Sequence, residues 1–174
     1  MTGYNPAHTL MEEKLKLSRE SMAEEVDPTH YLRMIGSLLY HVHTWLNIAF
    51  TVVYMRRFME RTTMEHLQSI KRILRYVAGT LDYGLHYGRA PDLARFIGYY
   101  DSDLAGDVDT SKSTTRMMFF LCDCLVSWQS LKQKVVALSS YEAEYIGTTT
   151  AATQALWLSR MLAELLAGRW MWLS

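Results

Sequence analysis

The sequence predicts a mixed α/β chain, with a mainly helical segment over 1–92 and, over 93–174, a three-stranded antiparallel meander followed by a long helix. Three observations predict it. Apolar residues in the first half recur at helical intervals and end on a stop signal; beyond a turn signal from Gly88 to Pro91 the period becomes extended; from Ser139 helical spacing returns until about Leu166. The composition permits a real core. Of 174 residues, 49% are hydrophobic and 12% aromatic, interrupted by only three prolines and nine glycines, which excludes a disordered or collagen-like chain.

Residues 1 to 30 are polar, patchily charged and aperiodic, and read as an irregular lead-in. Tyr31 to Tyr40 and Ile48 to Met59 carry apolar residues at helical spacing, with Thr44 to Asn47 as the break between them. Thr62 as N-cap with Glu65 three residues on, the stripe Leu67, Ile70, Leu74 and Val77, and Gly79 as a stop define the next helix. Arg95 to Asp101, Met117 to Cys122, and Leu125 to Ser130 continuing through Val135 to Leu138 read as strands with connections short enough for antiparallel neighbours. Ser139 or Ser140 caps the last helix, with Glu142 placed for a capping box on Ser139, and Gly147 with Thr148 to Thr150 weakens its middle. Gly168 to Ser174 match no terminating element and look like an arbitrary end.

Lys and Arg number 18, balanced by 18 Asp and Glu, so no overall basic excess argues for nucleic-acid binding and any basic surface is local. Arg56, Arg57 and Arg61 precede Lys71, Arg72 and Arg75, whose helix face is either solvated or in contact with phosphates. Two cysteines make no disulfide framework, and no secretory signal is present, so an intracellular, reducing location is expected. From Met34 to Met55 there is no charged residue, a run long enough to span a bilayer. His41, His43, Thr44, Asn47 and Thr51 interrupt it with groups that are costly in hydrocarbon, so it is read as a buried helix pair with no membrane partner.

The sharpest chemical candidate is the acidic group Asp101, Asp103, Asp107 and Asp109 combined with Glu142 and Glu144. Carboxylates from a strand end and a helix start can hold magnesium and assist phosphoryl displacement, whereas the bland alternative is a solvated loop plus glutamates that offset the helix dipole. An EF-hand is excluded by the missing loop glycine and terminal bidentate acid. Cys122 and Cys124 without a second pair fall short of a zinc site, and His41 with His43 is no better. Ser139 and Ser140 have no histidine in context, and no glycine-rich phosphate loop exists, so neither hydrolase triad nor small-molecule nucleotide site is expected.

The segments Tyr31-Leu-Arg-Met-Ile-Gly-Ser-Leu-Leu-Tyr40, Lys71-Arg-Ile-Leu-Arg-Tyr-Val-Ala-Gly-Thr80, Gly98-Tyr-Tyr-Asp-Ser-Asp-Leu-Ala-Gly-Asp107, Lys112-Ser-Thr114, Val126-Ser-Trp-Gln-Ser130, Lys132-Gln133 and Val136-Ala-Leu-Ser-Ser-Tyr-Glu-Ala-Glu-Tyr145 together form an ordered series. The series resembles the Pol polyprotein of copia-type LTR retrotransposons, of the kind abundant in plants, from about Asn5 to Leu166. The resemblance implies the end of reverse transcriptase and its connecting region over 1–92, then a partial ribonuclease H-like fold over 93–174. It further implies that Asp101 on the first strand and Glu144 in the first turn of the long helix hold magnesium for hydrolysis of RNA in RNA–DNA hybrids. Asp103 and Glu142 belong to the motif as secondary members.

Departures from the family pattern are also present. The family has a third metal-binding Asp on a fourth strand, while this chain stops just past the long helix, so little or no cleavage is expected from it, and the reverse-transcriptase aspartates are expected upstream of Met1. Thr44-Trp45-Leu46-Asn47 stands where the family reads Thr-Arg-Pro-Asp, which deletes two charges and a proline and accounts for the charge-free run. Arg116 stands where the family commonly has Gly. Beside a Pol segment working with the remaining Pol segments, two alternatives stay open: a non-catalytic module binding nucleic acid through Lys71, Arg72 and Arg75, and a decayed, unfolded product.

Overall fold

A computed structural model describes residues 5–12, 17–88 and 95–169. All but the first residue of the expected turn at 88–91, and the boundary near 92, fall on residues 89–94, and the end of the tail falls on 170–174, outside the described residues. The chain forms two compact units, Met1–Gly84 with Asp107–Thr110, and Leu85–Gly106 with Ser111–Ser174.

The first unit is helical. Asp27 accepts a hydrogen bond from the Thr29 amide at 2.9 Å and caps α1 (Pro28–His41), whose Pro28 has no N–H to leave unpaired. α2 (Leu46–Met55) follows after a short turn, so the charge-free run is two helices. No helix among the described residues is long and apolar enough to cross a membrane. A 3-10 turn over Arg56–Phe58 leads into α3 (Met64–Gly79). The cap of α3 is Thr63 rather than Thr62, and its reciprocal partner is His66: the Thr63 amide donates to His66 Nδ1 at 3.1 Å. Thr62 instead donates its hydroxyl to the Phe58 carbonyl. Tyr31, Ile35, Leu38, Ile48, Val52, Met55, Phe58, Ile70 and Ile73 form the core, to which the irregular lead-in adds Leu17.

The second unit is a meander, β1 (Phe96–Ser102), β2 (Thr114–Leu121) and β3 (Cys124–Lys132), in the order β1-β2-β3 with both pairs antiparallel. β2 and β3 are joined by a tight turn in which Cys122 takes φ 54°. The pairing shifts by one residue between Phe119 and Phe120, leaving Val126 as a bulge. β3 ends at Lys132, and Val135 to Leu138 are not strand: Val135, Val136 and Leu138 are exposed, and Ala137 alone of the four is buried.

α4 (Ser140–Arg169) is continuous. Ser139 Oγ accepts from the Glu142 amide at 3.2 Å, while the Glu142 carboxylate turns back to the Leu138 amide at 2.7 Å. Thr148, Thr149 and Thr150 do not interrupt the helix, and each hydroxyl donates to the carbonyl four residues earlier. α4 covers one face of the sheet, where Met117 and Phe119 pack with Leu158. Side-chain alternation places Gly98, Tyr100 and Ser102 on that face with Thr115, Met117 and Phe119, and turns Asp101 and Arg116 to the other. This mixed α/β architecture, a three-stranded antiparallel sheet followed by a long helix, is consistent with a partial ribonuclease H-like fold.

Candidate functional site

Asp101 is the penultimate residue of β1 and pairs across the ladder with Arg116 of β2. The Arg116 guanidinium lies 3.8 Å from the Asp101 carboxylate and 3.9 Å from that of Asp103. Asp103 closes the end of the β1–β2 pair: its carboxylate accepts from the Thr114 amide at 2.6 Å, and its own amide donates to the Thr114 carbonyl at 3.2 Å. From α4, Glu144 Oε1 accepts from the Ser102 amide at 3.2 Å. That amide belongs to the peptide joining Asp101 to Ser102, so the fold brings the two sequence-predicted site residues to one peptide unit of β1.

The other acids have separate tasks. Asp107 is buried and paired with Arg57 at 3.3 Å, and it accepts from the Asp109 amide at 3.0 Å. Asp109 accepts from the Ser18 hydroxyl at 2.6 Å and the Arg19 amide at 3.0 Å. Glu142 is the helix cap already described. Among the described residues no group of three or more His, Cys, Asp or Glu could hold a metal ion. Asp101 and Glu144 remain as candidate oxygen donors about the Asp101–Ser102 peptide, with the Asp101 side chain on the face of the sheet opposite α4. Carboxylate oxygens suit magnesium, which often takes only one or two protein carboxylates and completes its shell with water and phosphate oxygens. The neighbouring guanidinium opposes it.

The three basic candidates on α3 differ in their surroundings. Lys71 is exposed. Arg72 donates to the Thr9 carbonyl at 3.2 Å, the Thr9 hydroxyl at 2.7 Å and Glu12 at 2.7 Å, so its guanidinium holds the lead-in. Arg75 is half-buried, with Nε buried and lacking a hydrogen-bond partner among the described residues.

Sequence reasoning missed the polar residues beneath the start of α4. Gln133 is buried just past β3; its Nε2 donates to Thr115 Oγ1 at 3.0 Å and to the Ala143 carbonyl at 2.8 Å. Thr115 Oγ1 is 3.0 Å from Ser102 Oγ. The signal available was a glutamine in an otherwise strand-like run, beside a lysine that is half-buried.

The chain is 39% identical over 160 residues to the retrovirus-related Pol polyprotein from transposon RE1 of Arabidopsis thaliana, covering 92% of this chain and 11% of that protein. It is 38% identical over 172 residues to the corresponding polyprotein from transposon TNT 1-94 of Nicotiana tabacum, covering 95% and 13% respectively. It therefore spans about an eighth or less of the length of these polyproteins. Similarity extends to secreted RxLR effector protein 161 of Plasmopara viticola, 41% identical over 130 residues, which are 74% of this chain and 91% of that protein. No family model matches the chain. No solved structure matches it.

Proposed function

This chain belongs to the copia-type retrovirus-related Pol polyproteins of plant transposons, and from that premise we propose that its second unit is the opening part of a ribonuclease H-like domain acting on RNA–DNA hybrids. Asp101 and Glu144 are the metal-holding carboxylates. The observation that carries this reading is the hydrogen bond from the Ser102 amide to Glu144, which sets the glutamate against the peptide of Asp101 although 42 residues separate the bonded pair. Magnesium held by these two residues would supply charge stabilisation and an activated water for phosphodiester hydrolysis. The protein's own part is to present two oxygen donors at the rim of β1.

Two carboxylates with a guanidinium close to one of them make a weak cation site, and misplaced catalytic groups lose rate steeply. The 174-residue polypeptide is accordingly expected to show no hybrid cleavage above background. A labelled RNA–DNA hybrid incubated in magnesium and in manganese, with Asp101→Asn and Glu144→Gln alongside, tests both parts. Cleavage abolished by either substitution overturns the expected inactivity and supports the site assignment. Manganese binding equal in both variants and the parent chain overturns the assignment itself.

A further inference from the structure

The hydrogen bonds around the start of α4 close on themselves. Glu144 accepts from the Ser102 amide; Ser102 Oγ meets Thr115 Oγ1; Thr115 Oγ1 accepts from Gln133 Nε2; and Gln133 Nε2 donates to the carbonyl of Ala143, the residue before Glu144. The circuit runs through β1, β2, the segment after β3, and α4. Thr115 and Gln133 are buried, at 2% and 6% exposure, so these bonds form where water cannot replace them. The orientation of the Gln133 amide is fixed by chemistry, since a backbone carbonyl only accepts and a flipped amide would set oxygen against the Ala143 oxygen. Gln133 Oε1 is buried without a partner among the described residues, so the two bonds from Nε2 alone decide that orientation. One turn beyond Glu144, Gly147 leaves no room for a side chain against Ser102 Oγ and Thr115, which lets the helix descend onto the strand far enough for the glutamate to reach it.

We propose that Gln133 is a positioning residue, which through Thr115 and the Ala143 carbonyl fixes the height and rotation of α4 over β1 and so holds the Glu144 carboxylate at the Asp101–Ser102 peptide. The proposal deepens the ribonuclease H-like reading and rests on it for the consequence, though the circuit itself needs no metal. A residue that merely filled space would be replaced by any side chain of the same volume. Gln133 acts by donating two hydrogen bonds, and its isosteres lacking those donors fail to hold Glu144.

The test follows the Ser102 amide by nuclear magnetic resonance in the full 174-residue chain. In the parent protein this amide is expected to exchange slowly with solvent because it donates to Glu144, and Glu144→Ala is expected to speed that exchange. Gln133→Met and Gln133→Glu, close in volume but without the NH₂ donors, are expected to lose most of the protection; Thr115→Val is expected to do the same and Thr115→Ser to retain it. Protection of parental size in Gln133→Met overturns the proposal. Should these variants fail to fold, the parent chain still decides, because both Gln133 side-chain amide protons are expected to exchange slowly with solvent, and fast exchange overturns the proposal. Added manganese separates the two ideas. Broadening of the Ser102 resonance in the parent and its loss in Gln133→Met supports both; no broadening, with the protection of the Ser102 amide still dependent on Gln133, leaves the positioning role standing and removes the metal reading.

Discussion

The His66 ring is fully buried, stacked on Phe58 at 4.1 Å between centroids, and uses an unprotonated Nδ1 to accept from the Thr63 amide. Burial holds its basicity below that of an ordinary histidine. The unfolded chain therefore binds a proton that the folded chain resists, and stability falls as pH drops through the ordinary histidine range near 6.5. Urea midpoints measured from pH 7.5 to 5.5 are expected to decline, with a shallower decline in His66→Gln, whose carbonyl can still accept at the cap. At the β2–β3 turn Cys122 sits at φ 54°, where a Cβ is strained. Cys122→Gly is expected to raise stability by about 1 kcal/mol, read as a higher urea midpoint at unchanged slope.

Two helices each contain an interior glycine, and the physics assigns the two positions opposite signs. Gly36 in α1 is exposed, and a Cβ there meets nothing within 4 Å. Gly36→Ala is expected to stabilise by roughly 0.8–1 kcal/mol through helix propensity alone. Gly147 in α4 is buried, and a Cβ there collides with Ser102 Oγ and crowds Thr115. The same gain in propensity is outweighed by overpacking of roughly 1–3 kcal/mol, so Gly147→Ala is expected to destabilise. Paired denaturation curves check the contrast; stabilisation by Gly147→Ala would falsify the close approach of α4 to β1. The helices, the meander and the length of α4 were legible because each is a matter of local periodicity. Val135 to Leu138 were misread as strand because a short apolar run has no periodicity of its own, and Gln133, drawn inward to Thr115 and Ala143, has already left the ladder.

At the scale of the whole molecule, the chain leaves the second unit after Gly106 and returns to it at Ser111, and the four residues between belong to the helical unit. Asp107 is held there by Arg57, their side chains 7% and 12% exposed, with the guanidinium also 5.1 Å from the Tyr54 ring centre. Removing one member strands a buried charge. Asp107→Asn is expected to lower stability by about 3 kcal/mol, whereas Arg57→Met combined with Asp107→Leu recovers much of the loss, a non-additivity measured by a double-mutant cycle. Asp107 and Asp109 thus belong to the helical unit, whereas Asp101 and Asp103 belong to the second.

By itself the sequence determined the order and kind of the elements, the family, and the two acids proposed for the site, since these depend on local spacing and on motifs a reader can match. The tertiary structure alone decided which acids and cations are already paired, and that Gln133 stands beneath Glu144. Those outcomes depend on contacts between residues tens of positions apart, such as the 42 between Ser102 and Glu144 and the 18 between Thr115 and Gln133. Hydrogen bonds of that reach leave no periodic trace, because they are set by how closely one element can approach another, and that distance is fixed only when the helix comes to rest on the sheet.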